Sequence, residues 1–308
     1  MLSESAPPPH DEGSFSVGRF RSRTGREGFV RSASRALEYI RAGDIYQVNL
    51  THRLEAEFRG SPRSMFSALL DAAQPEHGFY AEIPGTRGFR VVASASPELF
   101  LRYDAGTRVA EARPMKGTAP PGREVELRES RKELAELSMI VDLMRNDLGR
   151  VCEPASVRVR SPRLVERIGA GIVQASAIVG GVLPAQRGAA DLILATFPPG
   201  SVIGCPKIRA AEVIAEQEQD PRGLYCGALG HIAPDGSMEL SVAIRTAEVD
   251  LPTSDRGDGE AGLGLVSLGV GAGIVFGSDP EAEWRETLLK ARAFTTLSSA
   301  ANREVAHA

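Results

Sequence analysis

The chain has 308 residues, 42% of them hydrophobic and 25% charged, which is enough for a large core in one big domain or two small ones. A net charge of −4 with no basic tract argues against nucleic acid or an anionic membrane as partner. The chain has no apolar run of the ~18 residues that a membrane span needs, no secretory leader in its polar, proline-rich N-terminus, and only three widely spaced cysteines, Cys152, Cys205 and Cys226, a pattern that fits a reducing cytoplasm and offers no zinc spacing.

Residues 1–24 read as a disordered lead-in, rich in Ser, Pro and Glu. A helix is expected over Gly28–Ala42, with Val30, Ala33, Leu37 and Ile40 on one face and Gly43 as its stop. Asp44–Phe58 alternates with a period of two and predicts a long strand. Gly78–Pro114 predicts antiparallel strands, with turns at Pro84-Gly85 and Asp104-Ala105-Gly106. Leu127–Leu148 carries the clearest helical stripe, formed by Leu134, Leu137, Ile140, Val141 and Met144. Further helices are expected over Asp191–Phe197 and Pro206–Glu218, and a hairpin around Asp235-Gly236. A Gly/Asp-rich loop over 252–262 precedes a glycine-rich strand, Leu265–Phe276, and a final helix from Pro280. With no linker to divide it, the stretch 25–300 reads as one α+β domain, followed by a tail over 301–308.

Three features carry chemistry. The first is the turn Arg113-Pro114-Met115-Lys116-Gly117-Thr118, which follows the strand-like run Thr107–Ala112. A lysine held there, partly desolvated and near another cation such as Arg113, can act as an amine nucleophile; an isolated Lys-Gly is more often an ordinary surface turn. The second is a pair of carboxylate pairs. Glu133 and Glu136 lie one turn apart on one helix, and Glu283 and Glu286 repeat the spacing on the last helix, with Lys290 four residues on. Two such helices facing each other would offer the oxygen ligands that Mg²⁺ favours; one such pair alone is more often solvated surface. The third is the glycine-rich segments. Gly200–Lys207 leads into a helix with Pro206 at its first position, a place for an anion, and Gly269–Gly273 lets backbone approach a ligand closely. Neither has the setting of a dinucleotide fingerprint or a P-loop. Arg245, on the strand Leu240–Val249, could hold a carboxylate through two parallel bonds or form a plain strand-face salt bridge.

In order along the chain, Gly43-Asp44-Ile45-Tyr46-Gln47-Val48-Asn49-Leu50, Ser96-Pro97-Glu98-Leu99-Phe100, the lysine turn, Met139–Asp147, Gly204-Cys205-Pro206-Lys207, Ile244-Arg245-Thr246 and Gly271–Val275 with Glu283 and Glu286 resemble the chorismate-utilising enzymes over about residues 28–293. The resemblance implies a sandwich of antiparallel β-sheets with helices packed outside, lacking the usual N-terminal region and with it any tryptophan feedback site. It implies chorismate as ligand and Mg²⁺ as cofactor, held by Glu136 and Glu286 directly and by Glu133 and Glu283 through water. Arg245, Tyr225, Lys290, Gly204 and the backbone of Val270-Gly271 would bind substrate, Lys116 would attack the ring, and Glu98 would move protons. A glutamine amidotransferase subunit would supply ammonia. The resemblance is nearest to aminodeoxychorismate synthase component I, which is similar to this chain in having a lysine at Lys116 where anthranilate synthases have alanine. Isochorismate and salicylate synthases place a water-activating lysine where this chain has Gln47. The pattern departs at Val173, where the family has histidine, at Ile203, where it has threonine, and at Pro199, where glycine is usual.

Overall fold

The computed structural model describes residues 13–85, 88–119, 121–168, 172–252 and 263–304. Their strands form two antiparallel sheets. The first, of eight strands, runs β1 (Phe15–Val17), β3 (Gln47–Gly60), β15 (Gly264–Val275), β14 (Thr246–Pro252), β5 (Gly88–Ser96), β4 (His77–Gly85), with β2 (Arg21–Ser22) and β11 (Gly204–Cys205) also paired to β3. The second, of seven, runs β12 (Ala228–Ile232), β13 (Met238–Val242), β6 (Leu99–Asp104), β7 (Val109–Ala112), β10 (Ile172–Val182), β8 (Met115–Ala119), with β9 (Arg158–Ile168) paired to β10. The helices are α1 (Gly25–Ala42), α2 (Pro62–Ala73), α3 (Glu124–Glu129), α4 (Arg131–Gly149), α5 (Ala189–Thr196), α6 (Lys207–Gln217), α7 (Pro280–Lys290) and α8 (Arg292–Glu304). This is the α+β sandwich that the sequence implies.

Alternation along β3 sorts its side chains. Val48 and Leu50 join Phe29, Ala33 and Leu37 of α1 and Ala272 and Ile274 of β15 in one apolar cluster, while Gln47, Asn49 and Thr51 point to the other face. The long β3–β15 ladder pairs Gln47 with Val275 and Phe58 with Gly264, so both strands keep one register across the site. On the second sheet, Leu137, Ile140, Met144 and Leu148 of α4 pack against Leu101, Ala177 and Val179.

Five expectations change. The strand expected over Leu240–Val249 is interrupted between β13 and β14, and Arg245 sits in the gap. The stretch read as a lead-in up to residue 24 contains β1 and β2, which add to the edge of β3; residues 1–12 lie outside the described residues, as do 253–262 of the Gly/Asp-rich loop. The helix expected over Leu127–Leu148 is broken at Ser130, whose backbone is extended (ψ 109°) and whose hydroxyl accepts from Glu133 N. Ser130-x-x-Glu133 is a capping sequence, and it starts a new helix. Leu134, in the expected stripe, is 43% exposed. Pro206 caps α6 from outside with ψ 142°, so it is not the first helical residue.

Candidate functional site

The floor of the site is one face of β15. A Cβ on Gly273 would stand 2.9 Å from Lys116 Nζ and 3.3 Å from Gln47 Nε2; one on Gly271 would meet Leu50 O and the Thr51 and Asn49 side chains; one on Gly269 would strike the Tyr225 ring. Three glycines two apart thus clear a strip on which side chains from both sheets converge. The lysine comes from β8, on the opposite sheet. Gly117 turns there with φ +83°, a conformation that suits glycine, and the space its missing side chain leaves is filled by Leu127 and the Glu133 carboxylate. Arg113 does not serve as the neighbouring cation: its guanidinium pairs with Glu166 and donates to Ser176 Oγ. The charged group beside Lys116 is a carboxylate, Glu136 Oε2 at 3.5 Å, with both side chains about 15% exposed.

Of the two acidic helices, α7 packs on β15, while α4 packs on the opposite sheet and approaches that floor through Lys116. Glu136, from α4, is paired with Lys116 beside Gly273. Glu286, from α7, pairs at 2.8 Å with Lys290, which also donates to Gly271 O at 2.8 Å. Glu283 is buried and accepts from Ser278 Oγ at 2.7 Å. Glu133 lies against Gly117. The four carboxylates nevertheless do not form the ready cage that the sequence suggested: among the described residues no three metal-capable side chains gather at one point. Glu136 and Glu286 each turn to the nearest ammonium, which neutralises them. The donor set still fits a hard divalent cation in kind, being all carboxylate oxygen and short of ligands that an anionic substrate could add.

Glu98 is 5% exposed, and burial pushes its pKa up to about 7. Opposing that shift are donation from Ser201 Oγ at 2.7 Å, the charges of Lys116 and Lys290, and the Met115 backbone. A carboxyl poised near neutrality between two lysines can both give and take a proton. Arg245 is held in the left-handed region (φ +49°); burial draws its pKa below the ordinary arginine value, and among the described residues no carboxylate pairs with it. A desolvated guanidinium of this kind suits a ligand carboxylate. Burial raises the Tyr225 phenol well above its usual pKa. Gln47 is fully buried next to Lys116, and among the described residues neither polar atom of its carboxamide has a hydrogen-bond partner. Such a group costs free energy unless a ligand satisfies it.

Other expected residues have a structural explanation. Gly204 has φ +140°, and a Cβ there would strike Gln47 O at 2.3 Å, so the glycine lets β11 close on β3. The Val270 side chain lies in the core, leaving only its backbone to face a ligand. Lys207 is held by Asp147 and Thr196 O rather than offered to an anion. Val173 and Ile203 are both buried in apolar clusters, Val173 with Leu127 and Ala175 and Ile203 with Val48 and Leu50. Ser201 escaped the sequence reading as a partner of Glu98, since the two lie 103 residues apart.

Residues 2–296 match the family model described as chorismate binding enzyme. The chain belongs to that family. Among its relatives, anthranilate synthase component 1 of Streptomyces coelicolor is 40% identical over 276 residues, covering 87% of this chain and 50% of that protein. The enzyme of the same name from Thermus thermophilus is 38% identical over 89% of this chain and 57% of its own length. The chain thus spans about half the length of these relatives. In solved structures, anthranilate synthase component I of Streptococcus pneumoniae matches with a TM-score of 0.77 and 30% identity, over 90% of this chain and 59% of that one. The menaquinone-specific isochorismate synthase of Escherichia coli shares the fold with a TM-score of 0.76 at 21% identity, over 94% and 65% of the two chains.

Proposed function

We propose that this chain aminates chorismate at C4 through a covalent bond to Lys116, as an aminodeoxychorismate synthase component I. The observation that carries the reading is the lysine itself: an amine brought across the sandwich to a glycine floor, between Gln47 and Glu136. Arg245 and Tyr225 would hold the substrate's carboxylates, with Lys290 and the backbone at Val270-Gly271. Glu136 and Glu286 would hold Mg²⁺, with Glu133 and Glu283 on its waters. When bound, the ion supplies charge stabilisation at the ring carboxylate as the C4 hydroxyl departs.

Lys116, once its ammonium has released a proton to solvent, forms the Nζ–C2 bond as a free amine while the C4–O bond breaks, and the ring π electrons shift between them. Glu98 in its acid form delivers the proton that leaves as water. Ammonia then bonds to C4, the N–C2 bond breaks, and lysine is restored. Glu98, now a carboxylate, takes the proton that the new ammonium group loses. Ammonium is a poor nucleophile, so ammonia delivered by a glutamine amidotransferase partner belongs to this reading. The compartment it implies is the cytoplasm, where the chain's three free cysteines would stay reduced; among the described residues no helix is long and apolar enough to cross a membrane.

A second reading, an anthranilate-type enzyme that eliminates pyruvate, is supported by the names of the relatives above. The product distinguishes them. With chorismate, Mg²⁺ and an ammonium salt, mass spectrometry and NMR should show 4-amino-4-deoxychorismate with no pyruvate. Anthranilate plus pyruvate would favour the second reading. An amine at C2 would mark an amino-deoxyisochorismate synthase, and no product would leave a weak homologue with a regulatory role.

A further inference from the structure

His52 lies on the face of β3 turned away from the cleft, and it is 4% exposed. Its hydrogen bonds run in one direction. Gly25 N donates to Ser22 Oγ at 3.0 Å, and the Thr287 hydroxyl donates its only proton to Trp284 O at 2.7 Å. With the Thr287 proton on Trp284 O, His52 Nε2, 2.9 Å from Thr287 Oγ1, is the donor, and Nδ1 accepts from the Ser22 hydroxyl at 3.0 Å. This fixes a single neutral tautomer, in keeping with burial that pushes the imidazole pKa down to about 4. The same ring stacks on Trp284 with centroids 4.6 Å apart, and Phe29 meets it edge-on at 5.5 Å.

Both contacts on α7 fall within the turn that carries the acidic residues: Trp284 follows Glu283, and Thr287 follows Glu286. A stack and a hydrogen bond at two points of one turn fix its rotation as well as its distance from the sheet. We propose that His52 is a positioning residue for the cation site, orienting α7 so that Glu283 and Glu286 face the Gly271–Gly273 floor. This inference rests on the metal role proposed above.

Trp284 is the only tryptophan in the chain, so its fluorescence reports this helix directly. The test is Mg²⁺ titration of the intact protein, read by Trp284 fluorescence and by calorimetry, with thermal unfolding alongside. His52→Phe keeps a stacked ring and loses both hydrogen bonds. Thr287→Val removes the hydroxyl that accepts from His52 together with its bond to Trp284 O, and Thr287→Ser retains both. The Phe and Val variants should bind Mg²⁺ about tenfold more weakly, the scale of one buried hydrogen bond. Their turnover at saturating Mg²⁺ should stay within about threefold of wild type, and the Ser variant should bind like wild type. Variants that melt earlier yet bind Mg²⁺ as wild type does would overturn the positioning role and leave a purely structural one. A wild-type protein that binds no Mg²⁺ would instead overturn the proposed function, and this inference with it.

Discussion

At Glu98, burial and the neighbouring charges act in opposite directions, and burial wins. The lysines Lys116 and Lys290 and the Ser201 hydroxyl all favour the carboxylate, yet its pKa still rises from 4.5 to about 7. If the acid form protonates the departing hydroxyl, turnover should fall as pH rises, with an apparent pKa near 7. Ser201→Ala removes a bond to the ionised form, so that limb should move to higher pH; a limb that stays in place would detach Glu98 from the proton transfer. Linkage gives a second readout. The folded chain retains a proton that the unfolded chain has released, so stability is highest below pH 4.5 and falls as pH rises towards 7, by about 3 kcal/mol from this group. Glu98→Gln should abolish that loss, which denaturant unfolding at pH 5 and pH 8 would show. Glu98 was legible in the sequence through Ser96-Pro97-Glu98, but its proton affinity was not, because it depends on burial in the folded chain and on partners such as Ser201, 103 residues away.

The glycines of β15 show how one element divides its work. A Cβ on Gly273 meets only the far end of Lys116 and the Gln47 side chain, both of which can move aside. Gly273→Ala should therefore fold normally while displacing Lys116, the proposed nucleophile, lowering turnover by about tenfold or more. A Cβ on Gly271 meets backbone, Leu50 O at 2.7 Å. Gly271→Ala should lower stability, by roughly 1–3 kcal/mol, because the β3–β15 ladder must shift. Equal melting temperatures for the two variants would contradict this division. The sequence marked the segment as a place of close approach but could not say which glycine faced a side chain and which a strand. On α4 the apolar stripe was readable over Leu137–Leu148, whereas the break before it needed the capping sequence at Ser130 to be weighed against helical periodicity.

Across the whole molecule, the order of motifs in the sequence was enough to imply a two-sheet sandwich, and the sandwich places Lys116 of one sheet against Gly273 of the other. Sequence spacing placed Lys290 one turn from Glu286 but could not show that Glu136 would be neutralised by Lys116, since that pair depends on how α4 and β8 come together. Nor could it show β1 and β2, two short pairings whose polar surroundings resemble a lead-in. The central claim joins the two sheets by a chemical step, so it is best tested at that bond. Acid-quenched protein incubated with chorismate and Mg²⁺ but no ammonia should gain the mass of chorismate less one water, on the peptide that contains Lys116. Lys116→Ala should lose both the adduct and most of its turnover, while its Mg²⁺ affinity is no weaker than wild type. Full turnover without that lysine, or an adduct carried elsewhere, would contradict the account.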